Sequence, residues 1–412
     1  MYNYQAISKV NKELVISLFV LNLFIFSSTF EVLIGIPQII KYSFSVTVIY
    51  FFYFFFRKSA LQNIENTVVK LIKFVFLVVS FYLLLGSYRK EIFYIQEIFA
   101  ERFYFMPYLL PLIFLFIKYD LSIFKYLIQY SYLLLPFSIF IEVVIVIFTL
   151  DSYYYVQDVI AILTLSIAPN LVLFTSHLSS NKKLTTLSII YFLLFAFILA
   201  KLGRRGETFE NVFMLIWFMV IRLGSKSINQ VEKVKFLFLS VILLITLSFF
   251  VYQNRKSIYL FERGVSASGF DESRGETIDN FLYEYGREPN DYLIGRGLNG
   301  TFQKFSAGDN MYSRSIEIGY LNILWKGGLV YLVPMMLLFI ISFAKGFFSS
   351  KNDFVKGLSG IILWQIIYMG SFGMANFATN YVLIWISVAI CLDPKIRMLT
   401  NQEIIQFGRL RF

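Results

Sequence analysis

Apolar runs of about twenty residues recur along most of the chain, and each is long enough to cross a hydrocarbon core of roughly 30 Å. No water is present in such a core to satisfy backbone polar groups, so each run is expected to be a helix. The pattern predicts twelve spans, near 14–34, 37–56, 70–86, 104–118, 130–150, 159–177, 184–202, 208–222, 235–252, 328–346, 356–373 and 377–392. The shortest, 104–118, contains Pro107 and Pro111, which predict a kink. The pattern is interrupted at length only once. Residues 1–252 carry nine expected spans, 253–327 form a long polar loop, 328–392 carry the last three spans, and 393–412 form a tail. No internal repeat is visible.

Composition supports this reading. Apolar residues make up 58% of the 412, 15% are charged and mean hydropathy is +0.68, which a soluble chain of this length could not hide. The expected fold class is an all-α polytopic membrane protein. A single cysteine, Cys391, excludes an intramolecular disulfide, and a single histidine, His177, excludes a multi-histidine metal site. The opening MYNYQAISKVNKE is too long and polar for a signal-peptide n-region, so the first span is expected to stay as an anchor.

Charge sets an orientation. With the N-terminus inside, the inside segments are the N-terminus, 57–73, 118–125, 178–184, 222–235, 345–356 and the tail. They hold 21 of the 37 basic and 7 of the 26 acidic residues, leaving 16 and 19 elsewhere. The whole +11 excess therefore comes from one side, as cytoplasmic loops require. Both termini are expected to be cytoplasmic, and nucleic-acid binding is not needed to explain the basic balance. Outside then lie the amphipathic stretch 88–103, which suits either the membrane interface or an ordinary connection, the turn at 203–210 and the long loop.

Candidate chemistry gathers in those outer segments. The turn LGRRGETFEN carries Arg204 and Arg205 where basic residues are normally scarce. Arginine forks suit a diphosphate, although head-group anchoring or pairing with Glu207 or Glu210 would also account for them. The loop is nearly neutral over 253–314, with eight basic and nine acidic residues, as expected of an ordered, carbohydrate-facing lid rather than a linker. Within it, YLIGRGLNGTF at 292–302 is a glycine-punctuated turn whose backbone can approach a ligand closely. A short helix over 315–325 is expected to turn at Gly327–Gly328 into the tenth span. Arg314 and Glu317 share a face if helical, which suits a catalytic pair or a plain salt bridge. Glu142, Glu31 and Lys41 are the charges placed in the spans, where structural pairing competes with function. His177 falls at an expected cytoplasmic interface.

Twelve spans with both ends inside, an arginine-bearing outer turn, and SRGETIDNFL (273–282), YLIGRGLNGTF and RSIEIGYLNILWKGGLVYLV in that order resemble the Wzy-type O-antigen polymerase family. That family groups with the O-antigen ligases. The layout covers the whole chain; the motifs cover about 270–335. The resemblance implies a metal-independent, cofactor-free glycosyltransferase of the bacterial cytoplasmic (inner) membrane. It would join undecaprenyl-diphosphate-linked oligosaccharide repeat units by block transfer outside, among membrane lipids, with a chain-length regulator and a flippase as expected partners. Diphosphate binding would fall to Arg204, Arg205 and Arg274, and catalysis to Glu317 as base with Arg314. Glycan contacts would come from Arg296, Gly297, Asn299, Asp309 and Tyr320. Related ligases carry a histidine near the end of this loop; here Asp309–Asn310 and Glu317 stand nearest, which favours polymerase over ligase. A lipid-linked glycan flippase or other transporter is the alternative from another class, and it would spread its charges along a central cavity.

Overall fold

The computed structural model describes residues 13–24, 37–59, 61–62, 66–86, 103–119, 189, 192–193, 205–225, 228–231, 233–234, 237–238, 273–285, 290–306, 309–313, 316, 318–370, 373 and 375–408. The expected spans 130–150 and 159–177, most of 184–202 and 235–252, and all but residue 103 of the stretch 88–103 lie outside them. So do Glu31, Glu142, His177, Arg204, Arg314 and Glu317.

The helices in chain order are α1 (Glu13–Phe24), α2 (Gln38–Lys58), α3 (Thr67–Gly86), α4 (Met106–Phe114) and α5 (Arg205–Gly224). Then come α6 (Ser273–Glu284), α7 (Asp291–Ile294), strands β1 (Phe302–Ser306) and β2 (Asp309–Ser313), and α8 (Gly319–Phe348). The chain continues through α9 (Asp353–Tyr368), α10 (Thr379–Leu392), α11 (Pro394–Met398) and α12 (Asn401–Gly408). Among the described residues, three helices are long and apolar enough to cross a membrane: α2, α3 and α8. On α3 the two faces differ as a lipid-facing helix requires. Lys73, Phe76, Ser80 and Leu83 are buried, whereas Val68, Leu71, Phe74, Val78, Phe81 and Leu85 present an exposed apolar stripe. The protein is an α-helical membrane protein.

Three expectations need correction. The run 104–118 yields only the nine-residue α4, about 14 Å long and half a hydrocarbon core. Pro107 opens this helix, and Pro111 inside it lacks a donor. After the helix the chain forms a bridge between Ile117 and Leu61. The long loop was expected to be helical in part; it also contains an antiparallel hairpin, Phe302 opposite Ser313 through Ser306 opposite Asp309, with Ala307–Gly308 between the strands. The short helix expected over 315–325 begins instead at Gly319.

The core is aromatic where α3, α8 and α10 meet. Trp385 packs 5.4 Å from Phe76 and 5.3 Å from Phe339, and Tyr331 lies 5.1 Å from Phe76. At one end of this bundle Lys58 pairs with Glu13, and buried Lys73 donates to Gln62 Oε1 and to the Leu115 carbonyl, both at 2.8 Å. Asn352, fully buried, donates to the carbonyls of Ile396 (2.9 Å) and Leu399 (3.0 Å) and caps α9 by accepting from Val355. Ser225 and Asn401 both donate to Asp353. Apart from the Leu115 carbonyl, which falls in an expected span, these contacts join segments whose basic charge predicts the same side.

Candidate functional site

The opposite end of the bundle is organised by a break in α8. Gly328 has φ 62° and ψ −169°, so the helix stops and restarts there. The turn expected at Gly327–Gly328 is present. A helix that stops leaves its last carbonyls without intrahelical donors. The loop supplies them: Arg296 N–H donates to the Trp325 carbonyl at 2.7 Å, and Gly297 N–H to that of Lys326 at 2.9 Å. This contact is backbone against backbone, which explains its glycines. A Cβ on Gly295 (φ 67°) would lie 2.7 Å from Gly328 N, and one on Gly328 would lie 2.2 Å from the Leu293 carbonyl oxygen. The close approach read from YLIGRGLNGTF is therefore made to the helix break.

Arg296 closes the same joint with its side chain. Its guanidinium lies 2.9 Å from Asp291 Oδ2, donates to the Glu284 carbonyl at 2.8 Å and sits 4.3 Å from the centre of the Trp325 ring. Arg296 thus ties α6, α7 and α8 together. Trp325 is fully buried and donates to the Gly300 carbonyl at 3.2 Å. Phe281 and Tyr285, stacked at 4.5 Å, pack against it from α6. Burial, with Asp291 and Tyr292 adding to it, pushes the Tyr285 phenol up to about 12. Asn299 accepts from the Tyr104 hydroxyl ahead of α4. Lys326 is buried, donates to the Phe103 carbonyl at 3.2 Å and lies 5.5 Å from the Tyr108 ring. The loop is therefore fastened to both α8 and α4.

Tyr320 links this joint to the rest of the end face. Its N–H donates to the Met369 carbonyl at 3.1 Å, and its hydroxyl to that of Ile366 at 2.5 Å. Next to Met369, Tyr368 packs on the first turn of α5, where a Cβ on Gly206 would come 2.8 Å from Tyr368 Cε2. The Arg205 backbone, Tyr320, Arg296, Gly297 and Asn299 thus belong to one end of the bundle. Arg274 lies in the first turn of α6 and Asp309 opens β2. Among the described residues, no group of three or more His, Cys, Asp or Glu could hold a metal ion.

Below Gly206 a cleft opens between α5, α9 and α10, lined by Glu210, Trp364, Gln365, Tyr368 and Asn380 among aliphatic side chains. The sequence reading took Glu210 only as a partner for the arginines, and passed over Lys326, Gln365 and Asn380. A signal for them existed: each is a polar residue in or at the edge of an apolar run, where hydrocarbon exposure is costly. Comparisons with known proteins found no matching family model, curated protein or solved structure.

Proposed function

We propose that this protein is a surface-polysaccharide polymerase of the O-antigen type, joining undecaprenyl-diphosphate-linked oligosaccharide repeat units on the outer face of a bacterial inner membrane. In this reading the chain has about twelve spans with both termini cytoplasmic, and 253–327 lie outside. The observation that carries the proposal is the folded outer loop clasped to the α8 break, at the same bundle end as the arginine turn. The sorting of contacts by charge supports the orientation: segments assigned inside touch one another, and so do those assigned outside.

The chemistry is a block transfer. The non-reducing-end hydroxyl of a fresh repeat unit attacks the anomeric carbon of the growing chain. A carbon–oxygen bond forms, the bond to the diphosphate breaks, and undecaprenyl diphosphate leaves with the bonding electron pair. Arg204, Arg205 and Arg274 supply positive charge for that leaving group, which takes the place of a metal. The attacking hydroxyl must lose its proton to a base, and Glu317, with Arg314 to hold it, is assigned that role. Asn299, Asp309 and Tyr320 are assigned to the glycan, with Arg296 and Gly297 shaping the surface that meets it.

Deleting the gene is expected to leave single repeat units on the carrier or cell surface while the long-chain ladder vanishes from glycan gels. Long chains retained in the deletion strain would end the proposal. Full-length polymer stranded on the lipid carrier would instead indicate a ligase.

A further inference from the structure

The break in α8 also marks a level in the membrane. None of residues 319–328 is exposed. Beyond the break, Leu329, Val330, Val333, Leu337 and Ile340 form an exposed apolar stripe at helical spacing. No charged residue stands between Lys326 and Lys345. The twenty residues from Leu329 to Phe348 rise about 30 Å, the thickness of a hydrocarbon core. Gly328 therefore stands at the edge of the hydrocarbon.

What the loop carries to that level is apolar. The Leu293 carbonyl and Ile294 N lie against Gly328, so α7 sits where the lipid-facing stripe begins. Tyr292, Leu293 and Ile294 are three consecutive exposed residues, with Leu293 at 56%. Tyr292 meets Tyr285 edge-on at 4.8 Å, which sets α7 beside the C-terminal end of α6. There Leu282 is 65% exposed, and Ile278 one turn earlier and Tyr283 next to it are exposed as well. A loop standing in bulk water would carry polar residues at these positions, so a patch of this kind marks a contact.

We propose that α7 and the C-terminal half of α6 are seated in the lipid interface at the Gly328 end of the bundle. Leu282, Leu293 and Ile294 reach the upper acyl chains, and Tyr283 and Tyr292 lie among the head groups. The occupant is a bilayer rather than a protein because the patch continues the lipid-facing stripe of α8 at the hydrocarbon edge. The two tyrosines agree with this, since an apolar ring with a polar hydroxyl suits that boundary. Charge is kept from the surface: Arg296, on the same loop, pairs with Asp291 and Glu284. The seat is independent of the chemistry proposed above. It fixes the clasp on α8 at head-group depth.

The test uses the full-length protein in lipid nanodiscs. Cys391 is the single cysteine and is buried, so a thiol-reactive fluorophore reads only an introduced site. Leu282→Cys and Leu293→Cys are labelled beside two controls, Val333→Cys on the lipid stripe and Lys351→Cys, exposed after α8. Both loop labels should be quenched by nitroxide lipids, most strongly by those with the nitroxide near the head group. Their iodide quenching should fall several-fold below that of Lys351→Cys. Full iodide quenching with none from nitroxide lipids overturns the seat. Shielding from both quenchers overturns it too, because protein would then cover the patch. A membrane-soluble aryl azide gives a second reading on the wild-type protein and needs no variant. It is expected to tag peptides within 278–294, and tagging confined to the spans would contradict the proposal.

Discussion

Gly328→Ala is expected to detach the outer loop from the bundle and lower the melting temperature of the purified protein by several degrees. Two costs coincide at this residue. Its φ of 62° with ψ of −169° lies in a region that essentially only glycine occupies, and a side chain there costs about 1–3 kcal/mol. A Cβ would also stand 2.2 Å from the Leu293 carbonyl oxygen. That oxygen is backbone, and moving it pulls Arg296 N–H and Gly297 N–H off the Trp325 and Lys326 carbonyls. Each such bond contributes about 1 kcal/mol net, and the freed carbonyls would be left buried. The total is on the order of 3–5 kcal/mol, large against the stability of most folds. Gly297→Ala is the internal control. It shares a positive φ, 74°, but its Cβ would meet nothing within 4 Å, so only the backbone strain of about 1–2 kcal/mol applies. Thermal melts, with limited proteolysis of the loop, should rank wild type above Gly297→Ala and Gly297→Ala well above Gly328→Ala. Equal melts for wild type and Gly328→Ala would show that the clasp does not hold the loop.

The second large effect falls on chemistry rather than stability. Arg204→Ala and Arg205→Ala are each expected to reduce polymerisation on the order of 100-fold, the usual loss when one stabilising group for developing charge is removed. The double variant should leave only single repeats on a glycan gel. Membrane expression should be unchanged, because Arg205 is the first residue of its helix and no apolar residue is removed. Arginine to lysine should recover little, since an ammonium cannot reproduce the bidentate fork. Wild-type ladders in both single variants would remove the diphosphate role.

What could be read along the chain was periodic or punctuated. α2, α3 and α8 follow from unbroken apolar length, and the turn at Gly327–Gly328 from two adjacent glycines before an apolar run. The prolines of the run 104–118 were legible as a kink, but not its helix length, which is nine residues with Pro107 in the first turn and Pro111 inside. The hairpin was not anticipated, and its two five-residue strands are too short to stand out along the chain.

The site was less legible. Arg296 looks free in sequence; what engages it is Asp291, the Glu284 carbonyl and the Trp325 ring, brought together by three separate elements. The cleft residues Glu210, Gln365 and Asn380 come from three separate helices, and no local pattern pairs them. Arg204 and Arg205 stood out for the opposite reason, because two adjacent charges at an apolar boundary are visible in a single window.

The most direct measurement reconstitutes the purified protein in liposomes with the single-repeat lipid-linked oligosaccharide as its only substrate. Products would be sized on a gel, and the released carrier quantified. The account predicts a ladder of longer glycans with one undecaprenyl diphosphate released for each linkage formed. Single repeats that remain unlinked, whether left in place or moved across the bilayer, would contradict it.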